Sequence, residues 1–280
     1  TFTNGNLFGF CDGCYRRVTI RIITAFLHCC TFIFKSKQIR MSKDIKFLKL
    51  NLKDIKSLIL SDIRKKNGVS YFLINSYSIS LTNKLPQYRK ILEANSRNLI
   101  DSKILRVILN GVKRDKNYYQ IRGIDLTREI LKSINEEVSI YILGGTVENL
   151  DEVVNIIHSH YPRVNIAEVY SPPFEDYRKM NIEEILVRIK KSKAKLVFVG
   201  LGTPKQDLIS FEIAKRLDKT VISIGAALDF LTNRIPECPK WIQLCGFEWL
   251  YRLYKEPRRL WKRYLIDSPK LLLMLVKKRF

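Results

Sequence analysis

The stretch Lys195-Leu-Val-Phe-Val-Gly-Leu-Gly-Thr-Pro-Lys-Gln206 carries the pattern that decides the fold. Residues 195–199 are predicted to form a strand, because the run that follows Lys195 is continuously apolar, which is typical of a strand covered on both faces of a parallel sheet. The run leads into a glycine-rich turn that opens a helix. Such glycines let backbone N–H groups approach an anion, and the start of a helix adds partial positive charge. The spacing fits neither a P-loop nor Gly-x-Gly-x-x-Gly, so a plain strand-to-helix turn remains an alternative.

The same strand–loop–helix order recurs along the chain. Asn181, three residues before Glu184, indicates the start of one helix, and Asp125 indicates the start of another. Apolar runs predict strands at 69–74, 104–109, 138–143, 164–170, 195–199 and 220–224. The sequence therefore predicts an α/β, Rossmann-like, mostly parallel sheet of about six strands, with helices on both faces, over residues 45–235.

The loops after these strands hold candidate ligand-binding residues, because ligands bind at the carboxyl ends of parallel strands. The loops contain Asn75, Asn110-Gly111, Gly144-Gly145, Ser171-Pro-Pro173, Gly200–Gln206 and Gly225–Asp229. Two glycine-rich loops at one sheet edge favour a nucleotide site. Lys205 is a candidate phosphate contact, and Gln206 is a candidate partner for a sugar or a phosphate oxygen. The alternative for Asp229 is a structural cap of a nearby loop.

Residues 236–280 differ from the rest of the chain, because aromatic side chains alternate there with lysines and arginines. The whole chain has 50 Lys and Arg against 27 Asp and Glu, a formal net charge of +23, so it attracts polyanions. Nucleic acid, an anionic membrane and phosphorylated sugars all fit this charge, but no nucleic-acid-binding motif is visible. We expect a helical appendage that binds the membrane surface. The alternative is a helix that packs its aromatic side chains on the sheet.

Residues 1–40 are predicted to lie outside the catalytic fold, since Met41 begins a stretch that resembles an ordinary domain start. The apolar run at 22–34 is shorter than the ~20 residues that span a bilayer. Cys11-Asp-Gly-Cys14 has the spacing of half a zinc site, but the adjacent Cys29-Cys30 cannot complete it. His158 and His160 lie two apart on a predicted helix and therefore face different ways. We expect no metal site.

Four motifs in this order carry a specific resemblance: Gly200-Leu-Gly-Thr-Pro-Lys-Gln206, Ala227-Leu-Asp-Phe230, Pro239-Lys-Trp241 and Glu248-Trp-Leu-Tyr-Arg-Leu253. The chain resembles the WecG/TagA/CpsF family of glycosyltransferases over roughly residues 50–265. The resemblance implies inverting, metal-independent transfer of an N-acetylhexosamine-type sugar from a UDP donor to a polyprenyl-diphosphate-linked acceptor. It further implies synthesis of teichoic acid, capsule or another cell-envelope polysaccharide, without a cofactor, at the cytoplasmic face of the membrane. A homo-oligomer stays open.

The resemblance also assigns roles to residues of this chain. Catalytic roles fall on Asn110, Arg122 and Gln206. Donor binding falls on Asn75, Gly144, Gly145, Gly200, Gly202, Pro204, Lys205 and Asp229. Acceptor or membrane binding falls on Arg252, Arg258, Arg259 and Arg263, since the guanidinium fork suits phosphate oxygens.

Three positions depart from the family pattern. Asn110-Gly111 stands where the family has an Asp-Gly pair that supplies the general base, and an amide cannot accept that proton. Leu73 replaces a threonine, and Glu237-Cys-Pro239 replaces Arg-Ala-Pro. Three interpretations remain open: Asp115 serves as the base, the acceptor phosphate assists, or the protein is a catalytically impaired member that acts as a binding module at the membrane.

Overall fold

The computed structural model describes residues 44–112 and 117–267. In this part of the chain one sheet is formed by β1 Ser70–Ile74, β2 Asn98–Ile100, β3 Ser139–Gly144, β4 Asn165–Tyr170, β5 Leu196–Gly200 and β6 Thr220–Ser223. All pairings between these strands are parallel, in the order β2-β1-β6-β5-β3-β4. The predicted α/β class with a parallel sheet of six strands is confirmed, and all six strands end at one edge.

Helices cover both faces of this sheet. They are α1 Leu52–Lys65, α2 Ser76–Leu81, α3 Pro86–Ala94, α4 Lys103–Val112, α5 Gly123–Ser133, α6 Val147–His160, α7 Ile182–Ser192, α8 Lys205–Leu217 and α9 Ala227–Leu231, with a 3-10 turn at Tyr177–Lys179. Within β3, Ile140 and Ile142 pack with α1, α5, α6 and α9, whereas Tyr141 and Leu143 pack with α7 and α8. Burial on both faces explains why an interior strand such as β5 is apolar along its length instead of alternating, whereas the edge strand β4 is only half-buried and contains Glu168.

The structure corrects the predicted strand at 104–109, which forms most of α4 instead. Leu105 and Leu109 lie four residues apart and are both buried, which is helical spacing. The N–H of Leu105 donates to the Ser102 hydroxyl at 3.4 Å, next to the start of the helix. The strand of this region is β2, which is only three residues long and precedes the predicted position. The prediction of a strand at 104–109 is wrong.

Side-chain caps mark the starts of several helices. The Asn181 side chain accepts the Glu184 N–H at 3.1 Å, so the predicted start of α7 is confirmed. Thr146 caps α6 in the same way, by accepting the Asn149 N–H at 3.2 Å. Each contact satisfies one of the backbone donors that a helix start leaves unpaired. Asp125, in contrast, lies in the first turn of α5 and not at its cap, so that detail was wrong.

A polar cluster around the buried side chains of Asp62 and Tyr71 lies at the amino end of β1. The hydroxyl of Tyr71 donates to Asp62 Oδ2 at 2.6 Å, Asn67 Nδ2 donates to Oδ1 at 2.9 Å, and Arg97 Nε donates to Oδ2 at 3.3 Å. Burial acts to raise the pKa of the Asp62 carboxyl. The hydrogen bonds and the charge of Arg97 outweigh it, so this pKa lies below its usual value.

The chain divides into two compact units, the first ending at Glu237 and the second continuing from Cys238. The described part of the second unit consists of α10 Lys240–Cys245, α11 Glu248–Lys255, α12 Pro257–Trp261 and a π-helical turn, Lys262–Asp267. The predicted helical character of this appendage is confirmed. The N-terminal extension at 1–40, with Cys11, Cys14, Cys29 and Cys30, lies outside the described residues. None of the helices described is both long and apolar enough to cross a membrane.

Candidate active site

The carboxyl ends of β3 and β5 lie side by side, and the connections that follow them leave in opposite directions. The chain runs from β3 through α6 to β4 on one side, and from β5 through α8 to β6 on the other. In open parallel sheets a crevice forms outside the strand ends at such a reversal, and ligands bind there. The two glycine-rich loops follow these two strands, so they flank this crevice.

Close backbone contact joins these two loops. Gly144 pairs in register with Gly200, and its φ is +111°. A Cβ atom on Gly144 would lie 2.5 Å from the Gly200 carbonyl oxygen, so the packing itself requires a glycine there. The Ser171 hydroxyl, after β4, donates to the Gly145 carbonyl at 2.7 Å. The loops after β3, β4 and β5 therefore form one contiguous surface.

The turn after β5 uses several of its own amides. The Gln206 N–H donates to the Gly202 carbonyl at 2.9 Å, and the N–H groups of Asp207 and Leu208 both donate to the Pro204 carbonyl at 3.1 Å. These three groups are not directed at a ligand. The anion cradle expected from the sequence therefore cannot depend on them, and any phosphate contact at Gly202 or Pro204 must use other groups.

Lys205 connects this turn to the loop after β4. Its Nζ donates to the Glu175 carbonyl at 3.0 Å and lies 5.1 Å from the centroid of the Phe174 ring. The Phe174 side chain is fully exposed. The ammonium group thus holds two loops of the crevice together, and the predicted phosphate contact would have to share it with Glu175.

Gln206 and its neighbour Asp207 lie beneath the turn, 2% and 0% exposed. Asp207 Oδ2 accepts the hydroxyl of Tyr88, from α3, at 2.7 Å. Gln206 Nε2 lies 3.5 Å from Asp207 Oδ1, the long end of hydrogen-bond range. The structure thus places Gln206 in a buried polar group at the carboxyl edge of the sheet.

Asp229 lies in the first turn of α9, after β6. Its Oδ1 accepts Asn149 Nδ2 at 2.9 Å, and the Thr232 hydroxyl donates to Asn149 Oδ1 at 2.9 Å. Because Asn149 is buried near the start of α6, this network ties the loop after β3 to the loop after β6. These bonds support the structural alternative for Asp229, and its donor role stays a prediction.

Asn75 and Arg122 lie at the carboxyl ends of neighbouring strands, and both are at helix N-caps. Asn75 follows β1 and accepts the Ser78 N–H at 3.1 Å in a capping box of α2. Arg122 precedes α5. A Cβ atom on the next residue, Gly123, would lie 2.8 Å from the Ile224 carbonyl oxygen, which places this helix start at the end of β6.

Two arginines converge on Glu237. Arg122 Nη2 lies 3.1 Å from Glu237 Oε2, and Arg128 Nη1 lies 2.6 Å from Oε1. Arg122 Nη1 also contacts Asp125 at 3.3 Å. Burial acts to raise the pKa of Glu237, but Arg128 and then Arg122 outweigh it, so this pKa is lowered. Glu237, a departure from the family pattern, thus orients the guanidinium of Arg122.

Asp101 follows β2 directly and is the acidic residue that sequence reasoning missed. Its N–H donates to the Ile74 carbonyl at 2.9 Å, and its carbonyl accepts Gln120 Nε2 at 2.9 Å, so its backbone is fixed at the carboxyl edge. Asn110 lies in the last turn of α4, where its side chain bonds the backbone N–H and carbonyl of Tyr118 at 3.2 and 3.4 Å. The expectation that Asn110 follows a strand is therefore wrong.

Comparison with known proteins places this fold and these motifs in a family. The sequence model of the family described as "Glycosyl transferase WecG/TagA/CpsF family" matches residues 41–280. The chain belongs to this family. One relative, an N-acetylglucosaminyldiphosphoundecaprenol N-acetyl-beta-D-mannosaminyltransferase of Bacillus subtilis (strain 168), is 28% identical over 173 residues, which are 61% of this chain and 65% of that protein. The match thus spans slightly less than two thirds of the relative's length.

The resemblance to the WecG/TagA/CpsF family implies that the general base is the aspartate of an Asp-Gly pair after an early strand. Asp101-Ser102 satisfies the strand position, with serine in place of glycine. The available signals were Ser102, a good residue for a helix start, and the four-residue spacing of Leu105 and Leu109. A strand as short as β2 gives too weak a pattern to outweigh the apolar run after it. Asp115 lies outside the described residues.

The four arginines assigned to the acceptor or membrane lie in the helical appendage. Arg258 and Arg259 are exposed, although Arg259 pairs with Glu256 at 2.5 Å; Arg252 and Arg263 are half-buried. The appendage also exposes large apolar side chains: Trp241, Leu244, Leu250, Tyr254, Trp261 and Leu265. These are six of the ten such side chains among the described residues, although this unit contributes only residues 238–267. Exposed apolar groups are thus concentrated beside cations.

Metal ligands were not expected, and the described residues contain no group of three or more His, Cys, Asp or Glu side chains placed to hold an ion. Cys238, the free cysteine whose surroundings are described, is buried. The Cys11–Cys14 pair lies outside the described ranges.

Proposed function

We propose that this chain transfers an N-acetylhexosamine-type sugar from a UDP donor to a polyprenyl-diphosphate-linked acceptor in cell-envelope polysaccharide synthesis. The observation that carries the proposal is the crevice between the loops after β3 and β5, with Asp101 at the same sheet edge. Family membership and the name of the Bacillus subtilis relative support the reaction class. Because the match covers only 65% of that relative, the whole activity is a proposal for this chain.

In this proposal Asp101 is the general base. Its carboxylate removes the proton from the acceptor hydroxyl as that oxygen attacks the anomeric carbon, and the bond from that carbon to UDP breaks from the opposite side, inverting the centre. UDP departs as the anion. Three strand spacings of about 4.8 Å separate β2 from β5. A donor that contacts the loop after β5 and also reacts near Asp101 must therefore extend across β6 and β1, past Arg122.

The first test is a transfer assay with UDP-N-acetylhexosamines and a short-chain polyprenyl-diphosphate-linked N-acetylglucosamine acceptor. We expect turnover that survives a metal chelator. Asp101→Asn keeps the shape of the side chain and removes the base, so kcat should fall by about 100- to 10,000-fold. The matched variant Asn110→Asp should leave kcat within a few-fold of wild type, because Asn110 bonds the Tyr118 backbone and follows no strand.

The two outcomes that oppose this assignment are distinct. Full activity of Asp101→Asn would show that the base lies elsewhere. No turnover with any donor, in a protein that UDP still protects against thermal unfolding, would favour the alternative of an impaired family member that acts as a binding module. A gain of activity in Asn110→Asp would indicate that position 110, and not Asp101, is the site of the general base.

The second part of the proposal concerns the appendage, which we propose binds the cytoplasmic face of the membrane. Its exposed apolar side chains can enter the interface while its cations meet anionic lipid, each cation contributing about 1 kcal/mol. Arg258→Gln with Arg259→Gln should weaken binding to vesicles of mixed phosphatidylglycerol and phosphatidylcholine by roughly 30-fold.

The matched control removes two exposed cations from the first unit, by Lys190→Gln with Lys191→Gln on α7. This pair makes the same change in net charge. If both double variants lose vesicle binding equally, only the overall charge matters and the appendage has no special role. Retention of either protein on DNA but not on vesicles would favour a nucleic-acid partner.

A further inference from the structure

Tyr71 and Tyr88 of the first unit are completely buried, and each donates a hydrogen bond to a buried carboxyl group. The Tyr71 hydroxyl lies 2.6 Å from Asp62 Oδ2, and the Tyr88 hydroxyl lies 2.7 Å from Asp207 Oδ2. The first pair lies at the amino end of β1, away from the strand ends that flank the crevice. The second pair lies under the turn after β5. Similar chemistry thus occurs at both edges of the sheet, but only one pair adjoins the candidate site.

The Tyr88–Asp207 pair determines which way the Gln206 side chain is turned. Asp207 Oδ2 accepts the Tyr88 hydroxyl, and Gln206 Nε2 lies 3.5 Å from the other carboxyl oxygen, Oδ1. The group of Gln206 that faces Asp207 is therefore its NH₂, a donor. Tyr88 holds the other carboxylate oxygen and thereby limits rotation of Asp207.

This orientation leaves the carbonyl oxygen of Gln206 pointing away from Asp207. Oε1 is buried and accepts no hydrogen bond within the described part of the chain, and the residue as a whole is 2% exposed. An unsatisfied buried acceptor costs about 1–3 kcal/mol, and a ligand donor would recover this. The loops above Gln206 must shift slightly to admit such a donor.

We propose that Tyr88 and Asp207 are positioning residues that present the Gln206 carbonyl oxygen to the ligand as a hydrogen-bond acceptor. The partner is then a hydroxyl or an N–H group of the sugar nucleotide. A phosphate oxygen cannot bind this carbonyl oxygen, since an ionised phosphate oxygen and a carbonyl oxygen both only accept. This narrows the sequence prediction, which allowed either partner for Gln206. The inference rests on the proposed function only for the identity of the ligand.

The test compares Tyr88→Phe with Tyr71→Phe in the full chain. Each substitution removes one hydroxyl and leaves one buried carboxylate with a missing donor, so both should lower stability similarly. Only Tyr88→Phe should raise KM for the UDP-sugar, by about 3- to 10-fold with a smaller change in kcat. Asp207→Asn is the second variant, because an asparagine can face Gln206 with either group, and it should raise KM at least as much.

A second readout does not depend on turnover. In the ¹H–¹⁵N NMR spectrum, the Gln206 side-chain amide, assigned through Gln206→Met, should shift in Tyr88→Phe and Asp207→Asn but not in Tyr71→Phe. If the amide responds this way and no UDP-sugar is bound or turned over, the positioning role stands and the proposed function fails. The inference is overturned if turnover occurs and Tyr88→Phe and Tyr71→Phe change KM equally. It is also overturned if the chemical shift of the Gln206 side-chain amide does not change in Tyr88→Phe.

Discussion

Substitution of Gly144 tests the close contact between the two loops of the crevice. Gly144→Ala places a Cβ 2.5 Å from the Gly200 carbonyl oxygen and forces alanine into φ +111°. The unfavourable backbone contributes about 1–2 kcal/mol, and crowding against a rigid backbone atom contributes about 1–3 kcal/mol. We expect the free energy of unfolding to fall by about 2–5 kcal/mol. This is a large part of the total stability of a typical domain, which is roughly 5–15 kcal/mol.

Two further glycines separate these contributions in urea denaturation followed by far-UV circular dichroism. Gly202 has φ +77° but nothing within 4 Å of its Cβ position, so Gly202→Ala should lose only about 1–2 kcal/mol. Gly111, in α4, has neither constraint, so Gly111→Ala should be neutral or stabilising by up to about 1 kcal/mol.

The order of the three variants decides whether the reasoning holds. If Gly144→Ala and Gly202→Ala lose the same stability, the contact with Gly200 imposes no cost and the loops are not held as closely as described. Transfer activity adds a second measure. Ordinary contact begins at 3.4 Å, so the loops must separate by about 0.9 Å to admit the methyl group. Misplacement of that size can lower activity by about 100-fold.

Two more predictions concern stability alone. The pKa of the Asp62 carboxyl is lowered in the folded state, so its charge stabilises the fold at pH values above the usual pKa of 3.8. This contribution is lost as the pH falls through the folded-state pKa. Asp62→Asn should therefore be less stable than wild type by about 1–3 kcal/mol at pH 7, and thermal scans below pH 3.8 should show a smaller difference. Asn181→Ala removes the side-chain cap of α7 and should lower the free energy of unfolding in urea by about 1 kcal/mol. The control Asn155→Ala, on the exposed face of α6, should leave the free energy of unfolding unchanged. Equal losses of stability in the two variants would contradict the role of the cap.

The sequence predicted the fold class because the interior strands contain apolar runs, whereas the edge strand β4 is only half-buried and includes Glu168. β3 and β5 lie in the interior of the sheet, where both faces need apolar side chains. β2 lies at the edge and has only three residues, Asn98–Ile100, so it carried no such signal. The helix α4 that follows it has an apolar run at 104–109, and a short run of this kind does not distinguish a strand from a helix.

This one error displaced the candidate base by nine residues. A loop after a strand was expected at Asn110 because residues 104–109 were interpreted as the strand. Once those residues are helical, the carboxyl end of the strand falls at Ile100, and the residue there is Asp101. Under the proposed assignment of Asp101 as the base, the doubt that Asn110 raised comes from the predicted position of one strand, whereas Leu73 and Glu237 still depart from the family pattern.

The glycine-rich loops show the opposite limit of sequence reasoning. Their position at the crevice was predicted correctly, but their side chains are engaged in ways that no local pattern reveals. Lys205 bonds a carbonyl 30 residues away, and Asp207 bonds Tyr88 at a separation of 119 residues. Such contacts depend on how distant elements pack against each other. A phosphate could bind Lys205 only in competition with the Glu175 carbonyl that Lys205 already contacts. The carbonyl oxygen of Gln206 has no such partner among the described residues, so the prediction that it accepts a hydrogen bond from the ligand is the more specific one for this turn.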